Sequence, residues 1–194
     1  MLYTNRIISF APIAQLDRAP AYGAGCCWFD PSWAHINIVI NRHILFMQEA
    51  LKEAREAFSE DEVPVGAVIV YQGKIIARAH NQVERLKDPT AHAEMLAVTS
   101  AANFLKTKWL KGTSAYVTIE PCSMCAGALV LARVKELYFG AKDPKTGACG
   151  SITNIVKHKK LNHRLKVKSG ILKQECSALL SEFFKKKRVR FPRP

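Results

Sequence analysis

His92 and Glu94 stand two residues apart, and Cys122 and Cys125 follow later in the run Pro121-Cys122-Ser123-Met124-Cys125. One imidazole and two thiols make a donor set suited to zinc. A structural zinc site closes its tetrahedron with four protein ligands, whereas a catalytic one holds three and keeps a position for water. Here the near ligands number three: His92, Cys122 and Cys125. Glu94 is close enough in sequence to reach a metal-bound water without ligating the metal, which is where a proton shuttle is needed. Each motif alone is weak. Cys-x-x-Cys also fits half a structural zinc site or a redox pair, and His-x-Glu arises often by chance. Their conjunction at two predicted helix starts points to hydrolytic zinc chemistry.

The elements that must position these residues follow from periodicity. Apolar residues recurring at three and four predict a helix over 42–58. A β-branched run at 65–71, the turn signal Gln72-Gly73 and a second run at 74–80 predict a hairpin. After a polar loop, Asp88-Pro89-Thr90 predicts a helix start, with Asp or Thr able to cap and Pro tolerated in the first turn. A third strand is expected at 115–119, a helix from 122 to about 133, strands at 136–140 and 165–168, and a last helix from 172 to about 188. Helix N-termini favour negative charge, so Cys122 and Cys125 are expected to ligate as thiolates. The sum is an α/β fold: a three-layer α/β/α sandwich around a central mixed sheet of about five strands.

At 194 residues and 48% hydrophobic, the chain buries one core of ordinary size. The expected organisation is an N-terminal extension at 1–40, a catalytic domain at 41–188 and a basic tail at 189–194. Six cysteines without an opening secretory signal are read as a reducing, cytoplasmic setting. The most apolar stretch, 36–47, is interrupted by polar residues and too short to span a membrane. Net charge is +13. Residues 151–194 hold 13 basic and two acidic residues, while 47–150 are nearly balanced at 13 and 12. A basic surface beside a neutral core suggests a polyanionic partner, most simply nucleic acid, with a solvated tail as the plainer alternative.

Beyond the metal motifs, the blocks Glu62-Val63-Pro64-Val65-Gly66-Ala67-Val68, Asp88-Pro89-Thr90-Ala91-His92-Ala93-Glu94, Tyr116-Val117-Thr118-Ile119-Glu120-Pro121-Cys122 and Phe139-Gly140-Ala141-Lys142-Asp143-Pro144-Lys145-Thr146-Gly147 resemble the bacterial tRNA-specific adenosine deaminases. The likeness covers about 42–188, and the wider cytidine deaminase superfamily shares only the metal triplets. It implies the cytidine deaminase-like fold and one Zn2+ per subunit on His92, Cys122 and Cys125. Glu94 would move protons while adenosine becomes inosine at the wobble position of a tRNA anticodon stem-loop. It further implies a homodimer, and Asn81 hydrogen-bonded to the purine, where a strand-end turn is the plain alternative. Asp143 and Lys145 would border the extruded nucleotide, where a charged turn is the plain alternative. Phe184 matches a family aromatic near the wobble pocket, yet Phe183-Phe184 on an amphipathic helix also fits a core, and only one of the two is credited with RNA. Arg164 and the run Lys185, Lys186, Lys187 and Arg188 are expected to meet phosphates.

The front of the chain departs from that family. Residues 14–32 resemble the peptide obtained when a tRNA gene is conceptually translated, so a misassigned start, with Met47 as the internal candidate, is expected. Two rival functions stand beside the first: a deaminase of free nucleobases or nucleosides, and a non-catalytic zinc-containing RNA-binding subunit. Charge disfavours the former and Glu94 the latter.

Overall fold

A computed structural model describes residues 31–190, with side chains from 42 to 189. Its elements are α1 (Pro31–Ser59), β1 (Gly66–Tyr71), β2 (Lys74–His80), α2 (Val83–Leu86), α3 (Ala93–Leu105), β3 (Ser114–Ile119), α4 (Ser123–Leu131), β4 (Glu136–Ala141), β5 (Lys166–Ser169) and α5 (Lys173–Arg190). The strands form one mixed sheet in the order β2-β1-β3-β4-β5. β1 runs antiparallel to both β2 and β3, whereas β3, β4 and β5 run parallel. This is the expected three-layer sandwich.

Period-two alternation sorts the strand residues between two cores. Ala67, Ile69, Ala115, Val117, Leu137 and Phe139 face the layer that holds α3 and α4. Val68, Val70, Tyr116 and Tyr138 face α1 and α5. On α3 the buried positions Ala93, Ala97 and Ala101 recur every fourth residue and are small, which brings the helix close to the sheet. Gly66 does the same for α1: a Cβ there would collide with the Ala50 carbonyl oxygen and lie 2.5 Å from the Ala54 nitrogen.

Three local expectations are corrected. The first helix starts at Pro31, well before 42, and so takes up the end of the segment read as an extension. Proline is well tolerated at a first helical position, so Pro31 does not stop the helix. Residues 88–90 do not cap α3. The Asp88 carboxylate instead accepts bonds from the Thr90 amide and hydroxyl, both at 2.7 Å, closing a local turn, and the N-cap is His92. The stretch read as a polar loop contains α2, too short to show a period. Residues 1–30 and 191–194, with most of the tRNA-like stretch, lie outside the described residues. No helix among the described residues is long and apolar enough to cross a membrane.

Candidate active site

Both metal motifs sit where a helix begins. His92 is the N-cap of α3 and Cys122 the N-cap of α4, each with extended backbone and neither using its side chain to cap. Their side chains are therefore free to converge. Cys122 Sγ lies 3.7 Å and Cys125 Sγ 3.5 Å from His92 Nδ1, and the three donor atoms lie within 4.8 Å of one another. One nitrogen and two sulfurs at that separation could hold a metal ion, and their softness fits zinc.

The electrostatics of the cluster are coupled. A hydrogen bond with Cys125, then one with His92, holds the Cys122 thiol down to about 4. Cys125 is pushed up, first by that same bond and then by burial. Adjacent thiols sharing a proton do not both ionise unless a cation stands among them, so the pair of thiolates expected as ligands belongs to the metal-bound site. His92 is raised, chiefly by its bond with Cys122. Glu94 is 5% exposed, and burial pushes its carboxyl up to about 6. A carboxyl poised there can both take and return a proton near neutral pH.

His92, Glu94 and Cys122 open onto a cavity of about 550 Å³, a volume usual for small-ligand sites. Of the residues expected to meet substrate, Asn81, Asp143, Lys145 and Phe184 line it. Arg188 does not; it lies exposed near the end of α5. The two adjacent phenylalanines divide: Phe183 is 3% exposed and packs edge-on against Phe58 with ring centroids 5.8 Å apart, while Phe184 is 46% exposed on the cavity wall. Lys187 pairs with Asp61 at 2.7 Å. Arg164 immediately precedes Leu165 and β5, at the end of the sheet away from the cavity.

Two buried carboxylates escaped the sequence reading. Glu62 accepts Asn81 Nδ2 at 3.1 Å and the Arg85 amide at 2.7 Å, which fixes the Asn81 side chain at the cavity wall. Glu120 accepts the amides of Cys149 and Ser151 at 3.0 Å on Oε1, and the Asp143 amide at 3.3 Å and the Ser151 hydroxyl at 2.5 Å on Oε2. It thereby ties down the loop that carries Asp143 and Lys145. The Asp143 carboxylate is itself engaged by the Lys145 amide and the Thr146 hydroxyl. Gly147 lets the loop approach, since a Cβ there would lie 2.6 Å from Glu120 Cδ. A carboxylate flanked by an apolar strand and a proline is the signal that could have found Glu120.

The fold and the donor set define a deaminase, and the family model described as MafB19-like deaminase matches residues 40–188. The tRNA-specific adenosine deaminase of Aquifex aeolicus (strain VF5) is 55% identical over 143 residues, covering 74% of this chain and 94% of that one. The enzyme of that name from Bacillus subtilis (strain 168) is 50% identical over 146 residues, 75% and 91% of the two chains. The chain belongs to this deaminase family, within its tRNA-specific adenosine deaminase branch. A solved structure from work on A-to-I editing by tRNA:A34 deaminases at the wobble position superposes with a TM-score of 0.67 at 44% identity, over 69% of this chain and 97% of that one. A guanine deaminase from Nitrosomonas europaea superposes at 0.64 and 25% identity, over 72% and 83%.

Proposed function

We propose that this protein hydrolytically deaminates adenosine to inosine at the wobble position of a tRNA anticodon stem-loop. It works as a cytoplasmic homodimer with one Zn2+ per subunit on His92, Cys122 and Cys125, in a domain at 41–188. The observation that carries the reading is buried Glu94 beside the His/Cys/Cys donors on a cavity also lined by Asn81, Asp143, Lys145 and Phe184. When bound, zinc supplies the Lewis acidity that brings ionisation of the attacking water within reach of neutral pH. Glu94 takes the proton of the water that attacks C6 of adenine, then returns protons to the ring nitrogen and the departing amine. Asn81, held through its Nδ2 by Glu62, offers its remaining amide atoms to the purine edge. Phe184 gives a base a stacking face at the rim, and Lys145 a cation near the flanking phosphates. Arg188 meets phosphate outside the cavity.

The test is nucleoside mass spectrometry on a synthetic anticodon stem-loop with adenosine at the wobble position, beside free adenosine, guanine and cytidine. Inosine from the stem-loop alone is the expected product; deamination of a free base or nucleoside instead would move the protein to a small-molecule substrate. For Glu94→Gln, zinc content and RNA binding are expected to survive while turnover falls by about two orders of magnitude or more. Loss of zinc in that variant would contradict the proton-shuttle role.

A further inference from the structure

A basic surface lies away from the cavity, apart from the run on α5. β3 and β4 run parallel, and Ile119 at the end of β3 and Lys142 directly after β4 lie on the cavity wall, so the N-terminal ends of the two strands define an opposite edge roughly 17 Å away for strands of this length. Three segments meet there. The Leu110 amide bonds the Ala132 carbonyl, the Lys135 amide the Thr113 carbonyl, and the Lys166 amide the Lys135 carbonyl. Together 106–113, 133–136 and 157–168 hold eleven Lys and Arg against one acidic residue, Glu136. Glu136 is occupied, accepting the hydroxyls of Ser114 and Tyr138 at 3.1 Å.

Two features make this edge more than a scatter of lysines. Trp109, 42% exposed, has Lys108, Lys111 and Arg133 within 4.8–5.3 Å of its ring centroid. A π face holds cations in place without neutralising them, and no ion pair among the described residues involves these three. Beside them, Lys157, Lys159, Arg164 and Lys166 line an open groove. Charge held in a fixed array, with its one carboxylate already engaged and an exposed aromatic beside it, complements a phosphate backbone.

We propose that this edge is a second RNA-binding surface, which grips phosphates of the substrate RNA outside the anticodon loop. The proposal rests on RNA being the substrate. It assigns the cavity to choosing the nucleotide and the remote edge to general affinity, because phosphate contacts position without reading sequence.

The test measures the affinity of zinc-loaded protein across a salt series for a full-length tRNA transcript and for its isolated anticodon stem-loop. It compares wild type with Lys111→Gln/Lys159→Gln/Lys166→Gln, and with Trp109→Ala as a second variant. On the full transcript the triple variant is expected to bind more weakly, with a log–log salt slope shallower by about two to three, near 0.9 for each phosphate no longer neutralised. Trp109→Ala shifts it in the same direction by less. On the stem-loop, slope and inosine formation stay at wild-type values. Unchanged slopes on the full transcript would overturn the proposal. So would equal losses on both RNAs, which would place the gripped phosphates at the loop, or equally tight binding of an acidic polyglutamate peptide, which would point to a protein partner. Absence of inosine from wild type would sink the proposed activity while leaving the slopes to report on RNA binding.

Discussion

At the scale of single residues, the site depends on three carboxylates with two kinds of task. Glu94 lies beside the donors and, in the proposed reaction, moves protons; Glu62 and Glu120 turn inward and hold the walls. Glu120 collects bonds from three backbone amides and a hydroxyl, so its loss leaves buried donors without an acceptor. Glu120→Gln would set an amide NH2 against one of those groups. The expected result is a stability loss on the order of 2 kcal/mol in urea unfolding, with bound zinc unchanged. KM for the stem-loop should rise about tenfold, equivalent to about 1.4 kcal/mol, while kcat moves little. A uniform fall in kcat with unchanged KM would show that Glu120 acts on the chemistry itself. What these two carboxylates hold was not legible in the sequence, because their partners lie far along the chain: Arg85 for Glu62, Cys149 and Ser151 for Glu120. His92, Glu94, Cys122 and Cys125 were legible because their placement is set locally, by two helix starts.

At the scale of elements, the central strands β1, β3 and β4 were readable from alternation, since each has one face toward either core. The beginnings of helices were harder. Pro31 marks a helix start that residues 31–40 do not advertise by periodicity, and Asp88 closes a turn of its own. What the sequence could not convey is how closely layers approach. Gly66 lies against the backbone of α1, so Gly66→Ala must push that helix off β1. A cost of about 1–3 kcal/mol is expected, read as a lower denaturant midpoint. A wild-type midpoint would mean that α1 is free to shift. Because Glu62, on the segment that joins α1 to β1, holds Asn81, the same variant should also weaken substrate binding.

At the scale of the whole molecule, the metal donors join the starts of two helices that are otherwise separate in sequence, so zinc should act as a clasp. Chelation is expected to lower the melting temperature and to expose Cys122, whose thiol is held down to about 4, to alkylation. Cys149 and Cys176 are buried and pushed up to about 12, so they should stay unmodified in the folded protein. Peptide mapping after iodoacetamide treatment with and without chelator checks both halves; rapid labelling of Cys149 would show that the loop around Glu120 opens. One further feature joins the two ends of the molecule. The connection between β4 and β5, residues 142–165, contains no helix or strand; it leaves the cavity wall at Lys142 and arrives at the basic edge with Arg164 and Leu165. A segment that serves both ends is inherited as a unit. Drift that lengthens or shortens it alters nucleotide choice and backbone grip together, so divergence between members of the family should concentrate in matched exchanges along this stretch rather than in independent changes at either end.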